Sequence, residues 1–228
     1  MDPQSWAVLF DVDGTMVDNG AHHEAAWVEL GRRHNLGITP EFYRQRLHAR
    51  TNPTIVTALF GAATTPDLIA RIGDEKERIY REGYGPVMKE VPGLGPLLTA
   101  LRAASARLAT VSNSPPANVD LVLDGLGIRS HFHTVVNADD VRHGKPDPEA
   151  FLTAAARLGV PIGRCVVVED SASGFAAAER AGAPYVAMAV DGGARLPASA
   201  TRARRVCRDF TGLTVDMLRG IACEARDE

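Results

Sequence analysis

Cysteine is scarce in this 228-residue chain, and its few cysteines form no pattern. Cys165, Cys207 and Cys223 are odd in number and far apart, and no Cys-x-x-Cys occurs. Neither a zinc site nor a disulfide framework is therefore indicated, and a reducing cytosol fits. No apolar run approaches the ~20 residues needed to cross a bilayer, so no membrane partner is expected. A basic excess is missing too. The formal net charge is −3, which provides no global field for nucleic acid. The one local basic run, Arg202, Arg204 and Arg205, reads as a solvated helix end or loop. The opening MDPQSWAVLF has no basic leader and reaches Asp11 too soon for a signal peptide, so a cytoplasmic location is expected. No repeat or low-complexity segment occurs. What remains is 45% apolar and 23% charged residues, the composition of a soluble globular domain. The length suits one core of ordinary size with a modest insertion.

Five short apolar runs read as strands: AVLF (7–10), LATVS (108–112), HTVVN (133–137), CVVVED (165–170) and YVAMAV (185–190). Their apolarity is continuous rather than alternating, which marks a parallel sheet covered on both faces. Helical segments lie between them, after Gly93, Pro116, Pro148 and Ser171. Strand and helix in alternation predict right-handed crossovers and an open, Rossmann-like α/β sheet. From about Asn19 to Tyr84 the periodicity is helical and no strand is evident. The expected division is therefore an α/β core, residues 1–17 and 85–228, carrying a helical cap of residues 18–84. The Gly-x-Gly of VPGLGPLL follows no apolar strand and reads as a loop rather than a dinucleotide fingerprint.

Polar residues gather where the strands end. The first strand runs into Asp11 and Asp13, the second into Ser112, Asn113 and Ser114, and CVVVED into Glu169, Asp170 and Ser171. Lys145 follows the HTVVN strand by a short loop. Open α/β sheets collect ligands at these ends. Four carboxylates converging there would repel one another, and a lysine with a divalent cation would offset that. Carboxylate oxygens and water are the ligands magnesium prefers. Any one of these groups alone could be a cap or turn residue.

In order and spacing, DVDGT, Ser112, Lys145 and EDSASG resemble the motifs of the haloacid dehalogenase superfamily of phosphatases and phosphomutases. The helical insertion resembles that family's helical cap. The resemblance implies that Asp11 is a nucleophile forming an aspartyl-phosphate. It implies that Asp13 is the general acid and base, and that its backbone carbonyl binds Mg2+. Gly14 would permit the sharp turn. Thr15, Ser112 and Asn113 would hold phosphoryl oxygens, and Lys145 would neutralise Asp11 and transition-state charge. Asp11 and Asp170 would ligate the metal directly, with Glu169 direct or through water.

Within the insertion, His23 and Trp27 share a helix face, as do Lys76 and Tyr80. Both pairs resemble the cap of the β-phosphoglucomutase subfamily, which implies that His23 and Lys76 serve the substrate. Mutases of this group carry a serine-arginine pair at HARTNPT (48–54). Here that register places Thr51 and Asn52, with Arg50 two residues earlier. Asn52 and Arg50 are thus the candidate substrate contacts. Losing a bidentate anion grip weakens a mutase most. The expected activity is hydrolysis of a small phosphorylated metabolite, a sugar or polyol phosphate; the alternative is a phosphomutase of the β-phosphoglucomutase kind. A monomer is expected, with a dimer as the alternative. A haloalkanoate dehalogenase needs neither Asp13 nor the Glu169-Asp170 pair, and a phospho-accepting signalling domain is shorter and lacks a cap.

Overall fold

The computed structural model describes residues 5–48, 50–190 and 200–224; the first four residues of the N-terminal stretch and Ala49 of HARTNPT lie outside these. The described residues contain six strands: β1 (Ala7–Phe10), β2 (Arg107–Val111), β3 (Thr134–Val136), β4 (Cys165–Glu169), β5 (Tyr185–Met188) and β6 (Arg205–Cys207). All pair in parallel, in the order β3-β2-β1-β4-β5-β6. The chain starts at the centre, steps outward through β2 and β3, then returns to the other side of β1. The carboxyl end of β1 is therefore the switch point, where flanking connections diverge and leave a crevice.

Burial explains why these segments are strands. Every residue of β1, β4 and β5 is buried. Ala7, Leu9, Ala109, Val111, Val167 and Ala187 face the helices α7 (Glu149–Leu158) and α8 (Ala172–Ala181), whose alanines allow close approach. On the other face Phe10 meets the rings of Phe132 and Phe210, each at 6.1 Å. The helices α5 (Leu94–Ala103) and α9 (Val215–Glu224) pack on β2 and β4, and α6 (Pro116–Gly125) follows β2. Burying each large aliphatic side chain contributes ~1.5–3 kcal/mol.

The basic run is exposed as expected and departs from expectation only at Arg205, which lies in a strand. Arg202 ends a short helical turn, and Arg205 opens β6, an edge strand that apolar pattern did not reveal. Arg204 N–H donates to the Tyr185 carbonyl at 2.9 Å. Only Cys207 of the three β6 residues is buried, so no apolar run marks the strand, and its arginine suits an edge that must not recruit another chain.

By backbone contacts the chain divides into two compact units, Met1–Asp18 with Lys89–Glu228, and Asn19–Met88. The second is helical: α1 (Gly20–Arg33), α2 (Pro40–Phe42) running into a wide turn at Tyr43–Leu47, α3 (Asn52–Phe60) and α4 (Pro66–Tyr84). It ends at Met88 because Gly85–Val87 adds a further helical turn to α4. Thr39 and Thr65 cap α2 and α4, accepting from Phe42 N–H and Leu68 N–H, with proline at the first helical position of each. Its core is Trp27, Leu30, Ile38, Tyr43, Leu47, Ile55, Val56 and Ile72. No helix is long and apolar enough to cross a membrane among the described residues.

Candidate active site

β1 delivers Asp11 to the switch point. Its N–H donates to the Val168 carbonyl at 2.9 Å, extending the ladder one residue beyond the strand. The chain then turns sharply: Met16 N–H donates to the Val12 carbonyl and Gly14 N–H to the Val17 carbonyl, both at 2.9 Å. Gly14 has φ +82, and a Cβ there would lie 2.2 Å from Asp170 Oδ2. Both the left-handed backbone and the space require glycine. Thr15 is fully buried and donates its hydroxyl to Asp170 Oδ1 at 3.3 Å.

Lys145 ties the site together. Its buried ammonium donates to Asp11 Oδ1 at 2.6 Å, to the Val111 carbonyl at 2.7 Å and to Glu169 Oε1 at 2.9 Å. All three of its protons thus have acceptors. Asn113, expected at the phosphate, uses its side chain otherwise. Its Nδ2 donates to the Lys145 carbonyl at 3.0 Å, and its Oδ1 accepts from Lys145 N–H at 2.9 Å. This reciprocal pair fixes the backbone from which the lysine reaches Asp11.

Glu169, at the end of β4, is held on both oxygens. Oε2 accepts from Asp170 N–H and Ser171 N–H, each at 2.7 Å, and from the Ser171 hydroxyl at 3.0 Å. Ser171 also caps α8 by accepting from Gly174 N–H at 3.0 Å. A Cβ on Gly174 would sit 1.8 Å from the Glu169 carboxyl carbon, so this helix start approaches the carboxylate as only glycine allows.

The charges are strained by burial. Burial pushes Asp11 up, Lys145 pulls it back, and Glu169 and Asp13 raise it again, leaving it at about 7. Asp170 lies well above the ordinary carboxylate value, from burial first and then the Glu169 and Asp11 charges. Burial works against the charge on Lys145, but Asp11 and Glu169 outweigh it and raise its pKa. Asp11, Glu169 and Asp170 each offer an oxygen within 4.8 Å of the others. Hard oxygen donors crowded together out of water suit a divalent cation.

Asp13 turns its side chain elsewhere. Its Oδ2 accepts from the Ser114 hydroxyl at 2.6 Å and from the Ser112 hydroxyl at 3.4 Å. Ser112 Oγ accepts in turn from Ser114 N–H at 2.9 Å. Ser114 was noted in the sequence at the strand end but had no role there. The signal for it is its spacing of two from Ser112 in the bend after β2, where the Ser114 N–H meets the Ser112 hydroxyl.

The candidate residues thus fall into two groups. Asp11, Asp13, Gly14, Thr15, Ser112, Asn113, Lys145, Glu169 and Asp170 meet at the carboxyl ends of β1, β2 and β4 and after β3. In the helical unit, Lys76 Nζ contacts His23 Nδ1 at 2.7 Å and Glu77 at 3.0 Å, and Asn52 Nδ2 donates to Glu77 at 2.7 Å. His23 stacks on Tyr80 at 3.9 Å. Lys76 and Glu77 are both buried, while Arg50 is exposed. Glu77 escaped the sequence reading, although the buried stripe of α4 (Ile72, Gly73, Lys76, Glu77, Tyr80, Tyr84) follows helical spacing.

Buried carboxylates around a buried ammonium, at the switch point of a parallel sheet, have the make-up of an α/β enzyme site. The chain belongs to the haloacid dehalogenase-like hydrolase family, whose pattern it matches over residues 7–182. A phosphorylated carbohydrates phosphatase of Thermotoga maritima is 30% identical over 179 residues, covering 77% of this chain and 81% of that protein. A fructose-1-phosphate phosphatase of Escherichia coli is 33% identical, covering 77% and 92%. A beta-phosphoglucomutase of Bacillus subtilis is 31% identical, covering 77% and 80%. In fold the chain is similar to a family IA hydrolase of Entamoeba histolytica, with TM-score 0.87 at 24% identity over 95% of this chain and 99% of that one.

Proposed function

We propose that this hydrolase is a magnesium-dependent phosphatase acting on a small phosphorylated metabolite, a sugar or polyol phosphate, through an aspartyl-phosphate. The observation that carries the reading is the Lys145 ammonium 2.6 Å from Asp11 Oδ1, beside Glu169 and Asp170. Asp11 attacks phosphorus as the ester P–O bond breaks. Asp13 gives its proton to the departing alkoxide. Water then attacks the aspartyl-phosphate, Asp13 takes the water's proton, and inorganic phosphate leaves with Asp11 restored. Lys145 keeps Asp11 ionised in part and offsets charge on the phosphoryl oxygens, and donors of this kind are worth ~10²–10³ in rate each. Asp11, Asp170 and the Asp13 carbonyl would hold the magnesium, with Glu169 beside it, and a bound cation supplies further charge stabilisation for the phosphoryl group.

The insertion acts as a cap that selects the substrate, with His23, Lys76 and Asn52 as its polar face. Hydrolysis is favoured over mutase action by Glu77. A buried carboxylate engaging both Lys76 and Asn52 leaves less positive charge there for a second phosphate. The test is a phosphate-release panel over sugar, polyol, nucleotide and short-acid phosphates. It includes β-glucose 1-phosphate with a bisphosphate primer. Release without isomerised product supports the reading. Isomer without net release would replace it with the mutase.

A further inference from the structure

The Lys145 ammonium is gripped by Asp11, the Val111 carbonyl and Glu169, but its backbone lies in a less protected place. Arg142, His143, Gly144 and Pro146 around it are all exposed, outside helix and strand, while Lys145 itself is buried. Side chains that reach the backbone hold this stretch. The Glu149 carboxylate accepts from Arg142 N–H at 3.1 Å and from His143 N–H at 3.0 Å. The Arg180 guanidinium donates to the Pro146 carbonyl at 2.9 Å. On Lys145 the tie is the Asn113 amide, which takes both backbone groups at once.

One hydrogen bond leaves a residue free to swing about it. A second, from the same amide to the opposite backbone group, removes that freedom. Val111 and Asn113 lie two apart at the end of β2, so one segment holds the lysine at both ends, Val111 the ammonium and Asn113 the backbone. Between them Ser112 N–H donates to the Val136 carbonyl at 3.0 Å, which anchors that segment to the sheet. Gly144 makes room for the amide. A Cβ there would lie 2.7 Å from Asn113 Oδ1 and 3.1 Å from its Cγ. Gly144 does not have a left-handed backbone, so space is the reason for glycine at this position. Asn113 is exposed, so core packing does not set the place of its amide.

We propose that Asn113 is a positioning residue that sets the Lys145 ammonium against Asp11, with Gly144 as the space its amide requires, and that it is not a contact for the phosphoryl group. The effect on turnover rests on the phosphatase reading. Once the amide is removed, water can satisfy the exposed Lys145 backbone, so what is lost is direction rather than a hydrogen bond count. A shift of about 1 Å in a charge-stabilising group is enough to cost ~10² in rate.

The test has one arm without substrate. The lysines of the chain are Lys76, Lys89 and Lys145, of which Lys89 is exposed and the other two are buried. Reductive methylation followed by peptide mass spectrometry should label Lys89 fast and Lys145 slowly in the unaltered chain. Asn113→Ala should speed labelling of Lys145 about tenfold or more, while Lys76 and Lys89 keep their rates. Gly144→Ala should do the same, and adding it to Asn113→Ala should bring no further gain, because the amide it clashes with is gone. Both positions are exposed, so the fold should tolerate these changes. The second arm is steady-state hydrolysis, in which each variant should lose ~10–10² in kcat with KM within about threefold. A raised KM with unchanged Lys145 labelling would return Asn113 to the phosphate, through its other Nδ2 proton, and overturn the proposal. Unchanged labelling or kcat, additive effects of the two substitutions, or faster labelling at all three lysines would overturn it too. The labelling arm needs no turnover, so a chain that releases no phosphate would remove the phosphatase reading while the labelling still decides the role of Asn113.

Discussion

Replacing Lys145 by methionine tests the electrostatics of the site most fully. The side chain is nearly isosteric, so the change removes a charge rather than volume. Three acceptors lose their donor: Asp11 at 2.6 Å, the Val111 carbonyl at 2.7 Å and Glu169 at 2.9 Å. Breaking a buried ion pair from one side costs ~3–5 kcal/mol, because the remaining charge stays buried without compensation. The pH dependence has a definite sign. Asp11 already sits at about 7, above its ordinary value of 3.8. A carboxyl raised in the folded state stabilises the fold fully below its unfolded pKa and loses that contribution as pH rises through the folded one. Without the ammonium Asp11 moves higher still. The deficit of the variant should be largest near about pH 8 and shrink on acidification, by about 1.4 kcal/mol for each pH unit over which one extra proton is bound. Urea unfolding with chelator present, across about pH 5 to 8, measures it. A deficit below ~1 kcal/mol at the alkaline end, or one that grows on acidification, would refute the reasoning.

Three further outcomes follow from the geometry. Gly14→Ala should drive a Cβ toward Asp170 Oδ2 and lower kcat by ~10² or more through displaced carboxylates, with a weaker apparent affinity for magnesium; unchanged affinity would free Asp170 from that role. Ser114→Ala should lower turnover of a sugar phosphate by about tenfold, with less effect on an activated aryl phosphate, because it releases Asp13 from its 2.6 Å hydrogen bond; equal losses on both would separate Ser114 from leaving-group protonation. Excess chelator should abolish phosphate release and magnesium should restore it; full rate in chelator would remove the cation from the account.

Much of this was legible because the core signals are local. A fully buried parallel strand is a continuous apolar run, as β1, β4 and β5 are, and β2 and β3 lie in apolar runs as well although Arg107, Thr134 and Val135 are not buried. The candidate carboxylates follow such runs directly, so topology alone gathers Asp11, Glu169 and Asp170. What escaped was set by partners distant in sequence. β6 is a three-residue edge with only Cys207 buried, so burial left no pattern to read. Asn113 looked free to meet phosphate because nothing in the sequence shows that Lys145 presents both backbone groups to its amide. Glu77 adjoins Lys76 in α4, where charged neighbours usually face solvent, and its burial depends on packing within the helical unit.

The central claim is that an Asp11 carboxylate oxygen carries the phosphoryl group during turnover. Rapid acid quench during steady-state hydrolysis, followed by peptide mapping by mass spectrometry, tests it directly. The account predicts one added phosphoryl group on the peptide bearing Asp11, absent in Asp11→Asn. A phosphoryl group found on another residue, or undiminished turnover by the asparagine variant, would contradict it.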